Sequence, residues 1–173
     1  MERGERGHNL IGMATATLNP NPVVYSSLEN LDLLRQQLRS GELNEEGDDP
    51  IDDLEVFDLI RKINDPEHPL TLEQLKVTDL KNVHVDDANN MIQIFFTPTI
   101  PHCSMATLIG LCIRVKLIRS LPSRFKVDIK VAPGSHASED AVNKQLNDKE
   151  RIAAALENQQ LLNVLNNCIA HTD

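Results

Sequence analysis

The stretch FTPTIPHCSMATLIGLCIRVKLIRSLPSRFKVDIKV, residues 96–131, decides the fold class of this chain. Residues 104–120 are apolar on nearly every side, and a run of this length favours a buried helix over a strand. Apolar and polar residues then alternate over 125–131, which is the pattern of a half-buried β-strand. The stretch therefore predicts a helix packed on a sheet to which the following strand belongs.

The segments on either side of that stretch predict further helices and strands. On the N-terminal side, apolar residues recur at helical spacing from residue 51, and Pro66 and Pro69 end this amphipathic helix. Two strands follow, 75–85 and 91–97, joined as a hairpin across the polar turn DDANN. On the C-terminal side, Ser138 is placed to cap a helix, and helical pattern continues with interruptions to about residue 170. This order of elements predicts an α+β fold, a small mixed sheet with helices packed on it.

Residues 1–50 have the composition of a tail. They combine Gly, Pro, Asn and Ser with the acidic run GELNEEGDDP, so we expect a mobile, mostly disordered acidic N-terminal tail before a domain at 51–173. Leucines at helical spacing within 27–40 are the exception to this composition. They predict either a frayed helix or a segment that docks.

Charge and cysteine content limit the classes of function. The chain has 173 residues, a net charge of -9 and only five aromatic residues, which argues against direct nucleic-acid binding. The sequence holds no apolar run of membrane-spanning length and no signal-peptide pattern, so we expect no membrane association. Three widely spaced cysteines are not a disulfide framework, which favours the reducing cytosol or nucleus.

The cysteine in PHCSMAT is the principal candidate for a functional site. A helix that begins near Ser104 directs its free N–H groups and the positive end of its dipole at Cys103, and both favour the thiolate. His102, when protonated, adds to this effect. The alternative is that Cys103 is a small buried hydrophobic residue and His102 an ordinary surface residue.

The other candidate residues carry weaker signals. Glu67 and His68 in DPEHP, and His136 in PGSHAS, are candidates to line the same cleft, although a helix stop and a loop also explain these segments. Cys112 lies on the opposite helix face from Cys103 and is expected in the core. With three cysteines, a metal or cluster bound at Cys103 would be shared with another chain.

Two further features leave alternatives open. Residues 110–131 hold six basic residues against one acidic residue, so this surface is either merely solvated or meets an acidic partner. A thiol-dependent enzyme that uses Cys103 as nucleophile and His102 as base is the alternative to a binding protein. Adjacent residues rarely reach nucleophile–base geometry, so we expect no enzymatic activity.

Three long segments resemble one protein family. The segments FDLIRKINDPEHPLTLEQL, FTPTIPHCSMATLIGLCIRVKLIRSLPSRFKVDI and PGSHASEDAVNKQLNDKERIAAALEN are similar to the eukaryotic adapter subunit of the cytosolic iron-sulfur assembly targeting complex, whose bacterial relatives are the SufT-like and PaaD-like proteins. The similarity runs over about 51–168, and NPNPVVY resembles the family's short Asn-Pro motif. The PHCSMAT and DKERIAAALEN segments resemble the general branch of the family more than the paralogue devoted to iron-regulatory clients.

The resemblance implies an adapter that joins a WD-repeat β-propeller protein and a HEAT-repeat protein. Such an assembly delivers clusters to cytosolic and nuclear apoproteins, including DNA replication and repair enzymes, and so acts indirectly on chromosome segregation. The family's reactive cysteine falls on Cys103 and its rigid loop on 65–69. The resemblance also implies a homodimer that contacts a cluster transiently and holds no stably bound cofactor. The N-terminal extension, with a second candidate start at Met13, departs from the family pattern.

Overall fold

A computed structural model of the chain describes residues 21–27, 31, 33, 36, 50–100 and 102–172, without the side chain of Cys103. Within these residues the predicted α+β class is confirmed: one three-stranded mixed sheet is combined with five α-helices whose full extent is described. In chain order the elements are α1 (Asp53–Arg61), a 3-10 turn (Leu80–Asn82), β1 (Val83–Asp86), β2 (Met91–Phe96), α2 (Cys103–Ser120), β3 (Lys126–Val131), α3 (Glu139–Asn147), α4 (Lys149–Glu157) and α5 (Gln159–Ile169).

The sheet has the strand order β1-β2-β3. Strands β1 and β2 form the predicted antiparallel hairpin, in which Val83 lies opposite Ile94. Strand β3 pairs with β2 in parallel, with Val131 beside Phe96, and α2 makes the crossover between them. A parallel pair needs a long connection, and the buried helix supplies it.

The strand predicted at 75–85 is wrong over most of its length, because β1 begins only at Val83. Residues 72–76 form turns instead, held by a reciprocal pair of bonds: Gln74 Oε1 accepts from the Thr71 amide at 3.0 Å, and the Gln74 amide donates to Thr71 Oγ1 at 3.2 Å. Lys76 adopts a left-handed φ of 56°. Leu75 is apolar because this compact turn buries it, and not because it belongs to a strand.

Helix α1 follows the predicted amphipathic pattern but begins at Asp53. Asp52 is its N-cap, and the Asp52 carboxylate accepts from the Glu55 amide at 2.7 Å. Helix α2 begins at Cys103, one residue before the predicted start. Its central residues are buried on every side because α1, α3, α5 and β3 all contact it. A helix without a polar face has such surroundings.

The C-terminal region forms three helices rather than one interrupted helix. Asp148 and Asn158 end one helix and cap the next, since each side chain accepts hydrogen bonds from two amides of the helix that follows. Ser138 occupies the N-cap position of α3, but the predicted capping bond from its side chain is not formed. Asp148 and Asn158 therefore divide this region into separate helices, because their short polar side chains bind backbone amides that a continuous helix would bond to its own carbonyls.

Gly110 lets α2 and α3 approach each other closely. A Cβ atom built at Gly110 would lie 2.6 Å from both Cδ1 and Cδ2 of Leu146, well inside van der Waals contact. Leu146 is fully buried. A glycine in mid-helix, which costs helix propensity, is explained here by the packing that it permits.

The predicted N-terminal tail lies mostly outside the described residues. In the described segment 21–27, the Tyr25 amide donates to the Gln74 carbonyl at 2.7 Å, and Lys76 Nζ lies 4.9 Å from the centre of the Tyr25 ring. Of the leucine-rich segment 27–40, Leu31 and Leu33 are helical, and Leu31 is buried. Tyr25 therefore contacts the folded domain, and Leu31 and Leu33 are helical, although the composition of 1–50 placed all three residues in the tail.

Candidate functional site

The candidate site lies at the carboxyl edge of the parallel strand pair. Strands β2 and β3 end side by side, and the Ala132 amide extends the pairing by donating to the Phe96 carbonyl at 2.8 Å. The loop 97–102, which leads to Cys103, and the loop 132–138, which carries His136, therefore leave the sheet at the same edge. In open α/β sheets this edge is where ligands commonly bind.

The N-terminus of α2 is at this edge. His102 is the N-cap and is exposed; its side chain makes no capping bond, and its carbonyl accepts from the Ala106 amide at 3.2 Å. The first turn contains no acidic residue, so the positive end of the helix dipole is not neutralised there. Cys103 is the first helical residue, but its side chain is outside the described part of the structure, and the reactive thiol stays a prediction.

His136 is buried at the same edge. It is 8% exposed, and its Nδ1 accepts from the Ser138 amide at 3.0 Å. In the neutral ring this bond leaves the proton on Nε2. The Nε2 atom is buried and has no hydrogen-bond partner among the residues that the structure describes. A buried N–H without an acceptor is costly, so His136 has donor capacity that the described fold does not use.

Glu67 and His68 lie in the rigid loop, residues 65–69, which the isolated bridge between Asn64 and Thr71 closes. That these two side chains line the cleft of Cys103 stays a prediction. Asp65 holds it: one carboxylate oxygen accepts from the amides of Glu67 at 2.8 Å and of His68 at 3.0 Å, and lies 3.2 Å from His68 Nδ1. The buried His68 ring is thus positioned by a buried carboxylate, which gives this histidine a structural role.

The rigid loop packs against the C-terminal helix rather than standing alone. The Asn64 amide donates to the Cys168 carbonyl at 2.9 Å. Cys168 in turn is hydrogen-bonded through its thiol to Cys112, and both thiols are buried. The bond to Cys168, together with burial, raises the pKa of Cys112, so this thiol stays protonated. The expectation that Cys112 belongs to the core is confirmed.

Among the described residues, no group of three or more His, Cys, Asp and Glu side chains could hold a metal ion. No helix within the described ranges is long and apolar enough to cross a membrane. The cysteine pair of Cys112 and Cys168 was not foreseen, because it joins residues far apart in the chain. Asp65 was also missed as a positioning residue. Its signal was present in the sequence, since an aspartate often accepts bonds from the amides two and three residues later.

Residues 54–131, which run from α1 to the end of β3, match the model of the family described as "Iron-sulfur cluster assembly protein". The match thus covers the sheet, the crossover helix and the cysteine at its start. This match, together with the relatives described next, places the fold in the class of iron-sulfur cluster assembly proteins.

Similarity to curated proteins extends beyond this segment. MIP18 family protein galla-2 of Drosophila melanogaster is 58% identical over 158 residues, covering 91% of this chain and 98% of the relative. Cytosolic iron-sulfur assembly component 2B of Mus musculus is 57% identical over 152 residues, 88% of this chain and 90% of the relative. Protein AE7 of Arabidopsis thaliana is 55% identical over 157 residues, covering 91% and 98%. The chain belongs to the MIP18 family of iron-sulfur cluster assembly proteins.

Proposed function

We propose that this chain is a non-enzymatic adapter in cytosolic iron-sulfur protein assembly. It joins a WD-repeat β-propeller protein to a HEAT-repeat protein and helps to transfer clusters to apoproteins of the cytosol and nucleus. The observation that carries the proposal is the family membership, since relatives named for cytosolic iron-sulfur assembly align over most of this chain and most of their own length. The homodimer implied by the resemblance is part of the same proposal.

In this proposal the cluster is cargo. A cluster usually takes four thiolates, whereas this chain has three cysteines, of which Cys112 and Cys168 are buried and hydrogen-bonded to each other. Cys103 would therefore provide one transient contact, completed by ligands of a second chain. The dipole at the start of α2 favours a thiolate at this position, and the Nε2–H of His136 is a donor at the same edge.

The experiment compares the full chain with the variants Cys103→Ser and Ser104→Ala in a eukaryotic cell line that lacks the endogenous protein. Ser104→Ala alters the first turn of α2 without touching the thiol, so it is the matched control. We expect all three proteins to recover a β-propeller and a HEAT-repeat protein on affinity purification. Iron incorporation into client proteins should fall at least fivefold for Cys103→Ser alone.

Three outcomes would contradict the proposal. If wild-type protein recovers neither repeat protein, the adapter role is wrong. If Cys103→Ser supports full client loading, Cys103 makes no contact that cluster transfer requires. A turnover of any substrate by the isolated wild-type chain would instead favour the thiol enzyme.

A further inference from the structure

A second candidate site lies at the opposite end of α2. A groove of about 650 Å³ opens between the end of α2, the start of β3 and the junction of α3 with α4. We call it the basic groove, because among the described residues four cations and a single carboxylate, Asp128, line it. The cations are Arg114, Arg124, Lys126 and Lys149.

Arg114 is a partly buried cation whose hydrogen-bond acceptors in the described part of the chain are all neutral. Its Nη1 donates to the Val127 carbonyl at 3.2 Å, and its Nη2 donates to the Leu146 carbonyl at 3.0 Å and to Asn147 Oδ1 at 3.4 Å. Its Nε is buried with no partner among the described residues. Burial lowers the pKa of Arg114, and the charge of Asp128 raises it only in part.

The other charges of the groove leave a positive surplus. Asp128 is already engaged by Lys130, at 2.7 Å, and Arg124 is engaged by Asp87, also on the chain's own surface. Lys126 and Lys149 are exposed, and no carboxylate of the described part of the chain lies within ion-pair distance of either. In a protein with a net charge of -9, this is a local field of the opposite sign.

Apolar side chains lie among these cations. Ile118 is 58% exposed on the last turns of α2, and Met91 is 37% exposed at the start of β2. Phe125, Val127 and Ile152 complete the apolar lining among the described residues, and the Arg124 guanidinium lies 4.1 Å from the centre of the Phe125 ring. Exposed apolar side chains that lie together and are rimmed by charged residues mark protein–protein interaction sites.

We propose that the basic groove binds an acidic segment of a partner protein in which apolar side chains alternate with carboxylates. Carboxylates would meet Lys126 and Lys149 at the rim and supply Arg114 with the charged acceptor that the described part of its own chain does not. The apolar side chains would cover Ile118 and Met91. Nucleic acid fits less well, because Phe125 is the one aromatic residue among the described residues that line the groove, and the Arg124 guanidinium already lies against its ring.

This inference concerns a different surface from the candidate site and does not rest on the adapter role. The probe is a fluorescein-labelled peptide, Asp-Glu-Leu-Glu-Asp-Leu-Glu-Asp, titrated with the full chain and followed by fluorescence anisotropy. We expect saturable binding that weakens at least tenfold in the double variant Lys126→Glu/Lys149→Glu. Ile118→Ser should weaken it at least threefold, because it removes apolar contact without changing charge.

The matched control is the double variant Lys62→Glu/Lys144→Glu. It makes the same change in net charge at two exposed lysines outside the groove, and it should weaken binding by less than threefold. Circular dichroism of each variant checks that the fold is retained. Peptides with Gln and Asn in place of the acids, or with Ser in place of Leu, should bind at least tenfold more weakly than the probe.

Four results would overturn the proposal. They are absence of probe binding, equal weakening by the groove and control variants, equal affinity for the serine-substituted peptide, and displacement of the probe by single-stranded DNA at equal concentration. The chain's own residues 42–49 are also acidic, so Glu42, Glu45 and Glu46 are changed together to Gln in a further variant. A tenfold gain in probe affinity would show that this chain, and not a partner, supplies the occupant.

Discussion

Replacing Gly110 by Ala should destabilise the domain, although the same change stabilises most helices. In a helix interior the substitution contributes about 0.5 to 1 kcal/mol of stability through backbone entropy. Against this gain, the new Cβ would lie 2.6 Å from two terminal carbons of Leu146, where normal contact begins near 3.4 Å. Leu146 is fully buried, so it cannot swing into solvent, and overpacking of this kind costs about 1 to 3 kcal/mol. The difference between this cost and the gain is an expected net loss of about 0 to 2.5 kcal/mol.

Guanidinium unfolding followed by far-ultraviolet circular dichroism measures this loss, since the chain has no tryptophan for a fluorescence signal. A thermodynamic cycle with Leu146→Ala isolates the contact. Leu146→Ala alone should cost about 2 to 4 kcal/mol through its cavity. In the double variant the methyl group added at position 110 partly fills that cavity, so the combined loss should be at least about 1 kcal/mol smaller than the sum of the single losses.

Gly134 is the control for the cycle. It has a φ of +73° and nothing within 4 Å of an added Cβ, so Gly134→Ala should cost about 1 kcal/mol through backbone strain alone. Leu146→Ala should leave that cost unchanged. The reasoning is refuted if Gly110→Ala is more stable than the wild type, or if Leu146→Ala relieves both glycine variants equally.

Four other predictions concern the rigid loop, the reactivity of the cysteines, the pH dependence of stability and the N-terminal segment. Asp65→Ala should lower the free energy of unfolding, measured with denaturant, by about 2 to 4 kcal/mol, because two amides and the His68 ring lose their acceptor. Asp65→Asn keeps an acceptor and should cost less than half as much. Equal losses in the two variants would contradict the positioning role of Asp65. Iodoacetamide should modify Cys103 at least tenfold faster than Cys112 in native protein at pH 8, as measured by peptide mass spectrometry, with similar rates after denaturation. The raised pKa of Cys112 also predicts that stability falls as pH rises above about 9, since only the unfolded state then loses this proton; Cys112→Ala should flatten that slope. Limited proteolysis should cut first before about Asp49 and leave a resistant core at 51–173, and equal resistance throughout residues 1–50 would show that the tail docks and that the boundary is wrong.

The sequence predicted those parts of the fold that depend on neighbouring residues. The apolar run at 104–120 and the alternation at 125–131 each indicate directly which residues are buried. The bounds of α2 and β3 were therefore predicted to within one residue. The hairpin turn was found because its short polar residues favour turn geometry; Asn90 has a left-handed φ of 55°. The strand predicted over 75–82 is wrong because Leu75 and Val77 are buried without being in a strand. The spacing of apolar residues indicates burial but does not distinguish a strand from a buried turn.

For the candidate sites too, the sequence predicted what depends on neighbouring residues and missed what depends on contacts across the fold. The position of Cys103 at a helix start followed from local pattern, and the structure places that residue first in α2. The hydrogen bond between Cys112 and Cys168, and the burial of Arg114 against two carbonyls, depend on contacts across the fold. In the sequence Arg114 was one of six basic residues, and nothing local marked it as the one that would be buried against neutral acceptors.

The bond from the Asn64 amide to the Cys168 carbonyl has a consequence for the synthesis of the protein. The two residues are separated by about a hundred positions, which a ribosome adding about 5 to 20 residues per second covers in roughly 5 to 20 s. Throughout that interval the nascent rigid loop, and from its synthesis onward the Cys112 face of α2, have no C-terminal helix to cover them. The chain therefore emerges with its apolar centre open on one side, and a translational stop before α5 would leave a product that chaperones and proteases can distinguish from the finished domain.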